Sequence, residues 1–405
     1  MNYFPEMTGI GKYTGEMAAY LAKQNFTVQV VTGLPYYPEW KVKEGYSKFT
    51  FQRECLDGVS VLRCPLYIPK KLTSFYRIIQ DLSFFISSFI ATLFLLLKKK
   101  KYDLIVSISP SIFTGINGIW LKYWNPDAKL VYHVQDLQID AADQLKMIRS
   151  SFFVEAVKKV EKYILKNANA VSTISAGMLH RISAKAVPIK KKILFPNWID
   201  DSKVFIAEPN HHILDQLGIP KNKKIIFYSG AVGEKQGLDI LLSVVDYYHR
   251  THADLLFVIS GGGPYLEILK NKFTKRHLSN IYFIDLQPVN IYNELLNLAW
   301  LHIILQRENA ADLVLPSKLT NIMAVGGLIL ATAPIHSTLY EIIKKNNLGY
   351  VVRPDRPEEI VKAINYLLQH PDYTKELKHN AHEFSNKNLK KDIILNQFIN
   401  EVQTI

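Results

Sequence analysis

Short β-branched or aliphatic runs alternate with stretches of helical periodicity twice along this chain, and that double alternation restricts the fold more than any other feature. The first series has candidate strands at Thr27–Thr32 (TVQVVT), Leu104–Ile108, Leu130–His133 and Val171–Ile174. The second has them at Lys224–Tyr228, Leu255–Ile259, Ile281–Ile284, His302–Leu305, Leu328–Ala331 and Gly349–Val352. Strands separated by helices pair in parallel, because a parallel connection needs a long crossover. After Pro196 and Asn197 the chain turns polar through Glu208, Pro209, Asn210, His211 and His212, which reads as a linker. A chain of 405 residues also exceeds what one hydrophobic core usually serves. The expectation is an α/β protein of two Rossmann-like domains, with ligands at the carboxyl ends of the strands.

The front of the first series is irregular. A glycine turn in such a domain should follow a strand, yet only Met1 to Thr8 precede Gly9, and Pro5 argues against a central strand there. The first strand of the N-terminal domain is therefore expected to be missing, or to lie upstream of Met1. Its absence would open a sheet edge or reorder the sheet.

Charge narrows the partners. With 49 Lys and Arg against 36 Asp and Glu, the formal net charge is +13, which suits nucleic acid, anionic lipid or phosphate-rich ligands. No Cys/His zinc spacing and no RNA-binding aromatic signature accompanies it, so nucleic acid is not the expected partner. Cys55 and Cys64 are the only cysteines, which is no disulfide scaffold, and the start of the chain lacks a basic region followed by an apolar one. A cytoplasmic location follows as the expectation.

Residues 82–97 (LSFFISSFIATLFLLL) carry no charge and run straight into Lys98, Lys99, Lys100 and Lys101. The run is shorter than the roughly 20 residues a spanning helix needs. It reads as a buried core helix or as an interfacial helix on an anionic membrane surface, where each lysine gains about 1 kcal/mol, with a true span as the minor option. Lys70, Lys71, Phe75, Tyr76 and Arg77 add basic and aromatic groups just before it.

Several segments carry chemistry. Gly9, Gly11 and Gly15 open the first helix, where backbone N–H groups can approach an anion. Thr14 stands where a dinucleotide fingerprint has its third glycine, so a plain turn is equally compatible. His133 ends a strand and precedes Gln135 and Asp136; Asp136 and Asp140 are candidates to hold its tautomer. In YSGAVGEKQGL, Gly230, Gly233 and Gly237 surround Lys235 just after a strand, an arrangement suited to clamping a diphosphate. No Walker spacing follows. Gly261, Gly262 and Gly263 form a second such loop, with Pro264 placed for the first turn of a helix. Ser317 and Lys318 stand at the start of a further helix that ends at Gly326 and Gly327, where the hydroxyl can cap it and its N–H groups can face a phosphate.

Taken in order, NYFPEMTGIGKYTGEM, TGLPYYPEW, RCPLYIPK, HVQD, FPNW, YSGAVGEKQGL and LPSKLTNIMAVGG resemble the family 4 retaining GT-B glycosyltransferases, and most closely their colanic-acid-type exopolysaccharide branch. The resemblance covers nearly the whole chain. It implies a GT-B fold, two Rossmann-like domains facing across a cleft. Residues 1–197, with 385–405 crossing back, would bind acceptor, and residues 198–384 would bind the nucleotide-sugar donor. The final helix near Ile393–Val402 would make the return. It implies a lipid-linked saccharide acceptor, a peripheral position on the inner face of the plasma membrane, no metal and no cofactor. Gly9 and Gly11 would approach the donor phosphates together with Gly230, Gly233, Gly262 and Gly263. His133 would contact the donor sugar, Lys235 would stabilise the leaving diphosphate, and Ser317, Lys318 and Asn321 would border ribose and phosphate.

Two departures from the family pattern stand out. Many relatives pair an Arg with a Lys in the first donor loop; here Ala231 follows Gly230, and Lys235 is displaced by one position with Gln236 next. The paired glutamates before the later helix are replaced by Leu313 and Asn321, leaving Glu308 or Asp312 as substitutes for the first. A GT-B epimerase, an inverting transferase, or a donor-binding scaffold without turnover are the competing readings.

Overall fold

The structure is a computed structural model and describes residues 1–6, 9–37, 39–70, 73–98, 101–137, 140, 151–251, 254–263, 265–308 and 318–405, with the side chains of Ser74, Ser151, Phe152, Phe153 and Lys235 outside the description. The chain divides into two compact units, Met1–Pro196 with Leu395–Ile405, and Asn197–Ile394.

Unit 1 opens with helix α1 (Gly9–Lys23), and among the described residues no strand precedes it. Its buried side is Gly11, Tyr13, Gly15, Glu16, Met17 and Ala18, while Tyr20 and Leu21 are only half-buried. Gly11 and Gly15 are small because the preceding turn lies on them: an added Cβ would meet the Glu6 carbonyl oxygen at 2.9 Å and the Phe4 ring at 2.6 Å, respectively. Strand β1 (Gln29–Gly33) follows, then a hairpin of β2 (Gln52–Leu56) and β3 (Val59–Cys64). Asp57 and Gly58 both have positive φ, 51° and 78°, as the tight turn between two twisted strands requires. After helix α2 (Ser74–Leu97) come β4 (Leu104–Ile108), helix α3 (Phe113–Tyr123), β5 (Lys129–Val134), β6 (Ala170–Thr173) and β7 (Lys192–Leu194).

The sheet of unit 1 is in two pieces, ordered β1-β3-β2 and β4-β5-β6-β7. Among the described residues, β1 pairs only with β3, and β4 only with β5. On the open side of β1, the Met1 carbonyl accepts from the Gly33 N–H at 2.9 Å and the Thr32 hydroxyl at 2.8 Å. A fully buried Arg63 ties these parts together. It pairs with Glu54 at 2.5 Å, donates to the carbonyls of Gly33 and Phe4, and lies 5.5 Å from the centres of both the Tyr3 and Tyr46 rings.

α2 is longer than the apolar run inside it, at 24 residues, so its length alone no longer argues against a span. Its amphipathicity is inverted. Gln80, Ser87, Ser88 and Thr92 face the unit together with Phe84, Ala91 and Leu95, and the Asn117 amide donates to the Ser88 hydroxyl at 2.7 Å. Leu82, Ile86, Ile90, Leu93 and Leu97 instead form an exposed stripe at three- and four-residue spacing, with Phe75 and Phe94 beside it. Lys98 and Lys101 are exposed just beyond the stripe.

Unit 2 contains β8 (Lys224–Ala231), β9 (Leu255–Gly262), β10 (Ile281–Ile284), β11 (Leu301–Ile304), β12 (Ile329–Thr332) and β13 (Tyr350–Val352). They make one parallel sheet ordered β10-β9-β8-β11-β12-β13. Its first strand in sequence is central, with later strands added outward to either side, so β8 and β11 flank the point where the winding reverses. That reversal leaves a crevice at their carboxyl ends. Aliphatic side chains of β8, β9 and β11 fill the core with Leu241, Val244 and Leu269 from the covering helices. At the end of the chain, the helix Lys391–Gln403 delivers Leu395–Ile405 to unit 1, where Phe398 stacks on Phe195 at 4.1 Å.

Candidate active site

In unit 2 the two glycine loops are pressed backbone to backbone. A Cβ at Gly261 would fall 2.1 Å from the Gly230 carbonyl oxygen, and one at Gly263 would fall 2.3 Å from that of Val232. The Val232 N–H donates to the Gly262 carbonyl at 2.9 Å, continuing the β8–β9 ladder into the loops. A Cβ at Gly262 would meet nothing within 4 Å, and one at Gly233 would meet only the Gln236 side chain. Gly230 and Gly262, in the last residues of β8 and β9, and Gly233 and Gly263, just past them, thus sit together at one end of the sheet. Lys235 lies in the short 3-10 turn Glu234–Gln236 that follows.

The helix Lys318–Ala324 brings a second cation to the same end. The Lys318 Nζ lies 3.5 Å from the centre of the Tyr228 ring, and a Cβ at Gly230 would come within 3.3 Å of it. Burial against this surface lowers the lysine pKa to about 7. Asn321, one turn on, bonds the Tyr292 hydroxyl, which also accepts from the Ser229 hydroxyl at 3.4 Å. Ser317, Pro264 and Asp312 lie outside the described residues; Glu308 is exposed.

In unit 1, Gly9 takes a left-handed φ of 56° at the start of α1, with open space where a Cβ would be. Gly11 faces the turn rather than solvent. His133 ends β5 and is 2% exposed. Its Nδ1 bonds the Ser172 hydroxyl at 2.9 Å and its Nε2 the Gln135 amide nitrogen at 2.9 Å. Those partners correct the expectation that Asp136 or Asp140 holds the tautomer, since Asp140 pairs with Lys185 at 2.7 Å. An amide N–H donating to Nε2 requires the proton on Nδ1, and burial lowers the histidine pKa to about 3, so the ring is neutral.

The family model for glycosyl transferases group 1 matches residues 210–384, and that for the glycosyl transferase 4-like domain matches residues 8–198. A protein named for colanic acid biosynthesis, the glycosyl transferase WcaI of Escherichia coli K12, is 37% identical over 413 aligned positions, spanning 100% of this chain and 98% of its own. The chain belongs to the group 1 glycosyl transferases. Its fold is GT-B: sucrose-phosphate synthase from Thermosynechococcus elongatus superposes with a TM-score of 0.75 at 16% identity, covering 98% of this chain and 93% of that one. HepE of Anabaena, solved with UDP-glucose, gives 0.63 at 14% identity, over 84% and 86%.

For this glycosyltransferase the sequence reading overlooked a cation. Arg307, just past β11, packs on the lysine-bearing loop, where a Cβ at Gly237 would meet its Cγ at 2.9 Å. Its guanidinium reaches Asp239 at 3.4 Å, and Asp239 also accepts from Lys272 at 2.6 Å and from the Tyr265 hydroxyl at 2.9 Å. Burial would raise the Asp239 pKa, but the bonds from Lys272 and Tyr265 and the nearby cations outweigh it and hold the group ionised. Arg307 was recognisable as a basic residue two positions past the predicted strand His302–Leu305. Tyr228 and Tyr292 carry no such cue.

Proposed function

We propose that the enzyme transfers a sugar, with retention of anomeric configuration, from a nucleotide-sugar donor to a lipid-linked saccharide acceptor on the inner face of the plasma membrane, in surface polysaccharide assembly of the colanic acid kind. The observation that carries the donor half is the meeting of two glycine loops, Lys318 and Arg307 at the winding reversal of a single parallel sheet. Departure of a nucleoside diphosphate builds negative charge on phosphate oxygens. Fixed N–H groups and cations placed in advance lower that barrier without reorganising. Lys235 is assigned to the leaving diphosphate, with Arg307, packed against the Lys235 loop from the end of β11, supplying the charge that relatives take from an arginine beside Gly230. Gly9, with open space where a Cβ would be, approaches the phosphates, while Gly11 lets the preceding turn pack beneath it, and Ser317, Lys318 and Asn321 border the nucleotide. His133 reaches the donor sugar through Gln135, which holds its Nε2. Neutralisation is assigned to protein cations, and no resident metal or cofactor enters the reading.

The acceptor half is supported by α2. Large apolar side chains at Leu82, Ile86, Ile90, Leu93 and Leu97 facing solvent, ahead of a lysine cluster, suit a helix lying in the plane of an anionic bilayer. Tyr123 and Trp124, both exposed at the end of α3, are aromatic groups of the type that settle at headgroup level. A purified enzyme given radiolabelled UDP- and GDP-sugars with a bacterial membrane fraction is expected to move label into lipid extract. No product from any donor would leave a donor-binding scaffold instead.

A further inference from the structure

We infer that the loop after β1 and the first turn of α2 form a platform for the acceptor's head group, a sugar joined to phosphate; this rests on the reading above that the acceptor is lipid-linked. The loop leaves the carboxyl end of β1 as Leu34, Pro35, Tyr36 and Tyr37 and reaches Trp40. Buried Glu6 fixes it, one carboxylate oxygen accepting from the N–H groups of both Tyr36 and Tyr37 at 2.9 Å. The other oxygen takes the Asn2 amide at 2.8 Å. Glu6 also underlies Gly11, so the glycine turn and the aromatic loop share one support.

Trp40 is held with a φ of 55°, a left-handed conformation that bulky side chains avoid and that persists where the surroundings over-determine it, often at functional sites. Its ring lies 5.5 Å from that of Tyr36 and 6.0 Å from that of Tyr37, and the Arg77 guanidinium sits 5.2 Å from its centre. Tyr37, Phe75 and Arg77 are exposed. Among the described residues no carboxylate is within ion-pair distance of Arg77, although Glu39 is in the same loop and Asp81 one turn along α2.

Each part has a complement in one amphiphile. The C–H face of a pyranose, slightly positive, stacks on the negative face of an aromatic ring. A guanidinium resting on an indole keeps its N–H edge free for phosphate oxygens, which it grips bidentately. The lipid has a path as well, because Phe75 and Arg77 belong to the helix whose exposed apolar stripe begins at Leu82. A saccharide diphosphate on a lipid would lay its tail along that stripe and its head on Trp40 and Arg77.

The test is equilibrium binding of farnesyl-diphosphate-linked glucose to the full-length protein, with free glucose and inorganic diphosphate as separate arms and UDP binding as control. Trp40→Ala and Arg77→Gln are each expected to weaken the linked probe at least about tenfold, the effect of losing one well-packed contact. UDP affinity should not change, and Arg77→Gln should leave the melting temperature unaltered, whereas Trp40→Ala also removes a ring packed on the core below it. Trp40→Phe should recover most of the affinity, which keeps the test valid if the alanine variant folds poorly. Unaltered affinity in Trp40→Phe, Trp40→Ala and Arg77→Gln alike, or inorganic diphosphate binding as tightly as the linked sugar, would overturn the platform. Wild-type protein that binds the probe in this way yet transfers no sugar from any donor would sink the proposed activity and leave the platform standing.

Discussion

Unit 2 gathers Lys318, Arg307 and the Lys235 turn around bare backbone at the ends of its strands, whereas unit 1 gathers neutral His133, Ser172 and Gln135, with an aromatic loop beyond β1. Unit 2 is continuous, one sheet of six parallel strands; unit 1 is in two pieces and carries an inverted helix. The contrast is chemical. Phosphate recognition needs rigid amides and cations, which a continuous ladder can position, while an amphiphile needs apolar and aromatic surface that no core has covered.

The sharpest way to break this contrast is Lys235→Ala, which should lower turnover by at least ~10²-fold, the scale for one preorganised electrostatic group. Single-turnover rates that match wild type in a folded variant would remove Lys235 from the chemistry. Next is Gly261→Ala, whose Cβ would lie 2.1 Å from the Gly230 carbonyl oxygen. Overpacking of this kind costs about 1–3 kcal/mol. A denaturant midpoint equal to wild type would mean that the loops do not touch, and Gly262→Ala serves as the silent control.

On the unit 1 side, replacing Lys98 and Lys101 by Gln should lose about 1 kcal/mol per charge near anionic lipid. The readout is protein moving from membrane pellet to supernatant at low salt; partition that ignores both changes would refute the interfacial helix. A last test concerns Lys318. Its folded pKa, near 7, lies below that of a free lysine, so between pH 7 and 9 the unfolded chain holds the extra proton and stability rises with pH. The Lys318→Met variant should flatten that rise in chemical denaturation, and an identical slope would show that the ammonium is not buried.

The α/β order was legible because its strands are apolar runs of ordinary length, and the predicted bounds differ from those found by three residues at most. β2 and β3 were missed although Asp57-Gly58 is a strong hairpin signal; Arg53, Glu54 and Arg63 interrupt the hydrophobic pattern, and only the structure shows Arg63 buried in an ion pair with Glu54. For the site, sequence located the glycine loops but not their mutual contact, nor the partners of His133. Contacts between segments far apart in sequence, such as Gly237 with Arg307 or Gly230 with Lys318, leave no local pattern to read.

Where the two glycine loops touch, neither Gly261 nor Gly263 has room for a single added carbon, whereas Gly262 between them faces open space. Small side chains introduced into this stretch therefore have one position that accepts them, and a library restricted to Gly262 would change the loop surface while leaving the contact between the two loops intact.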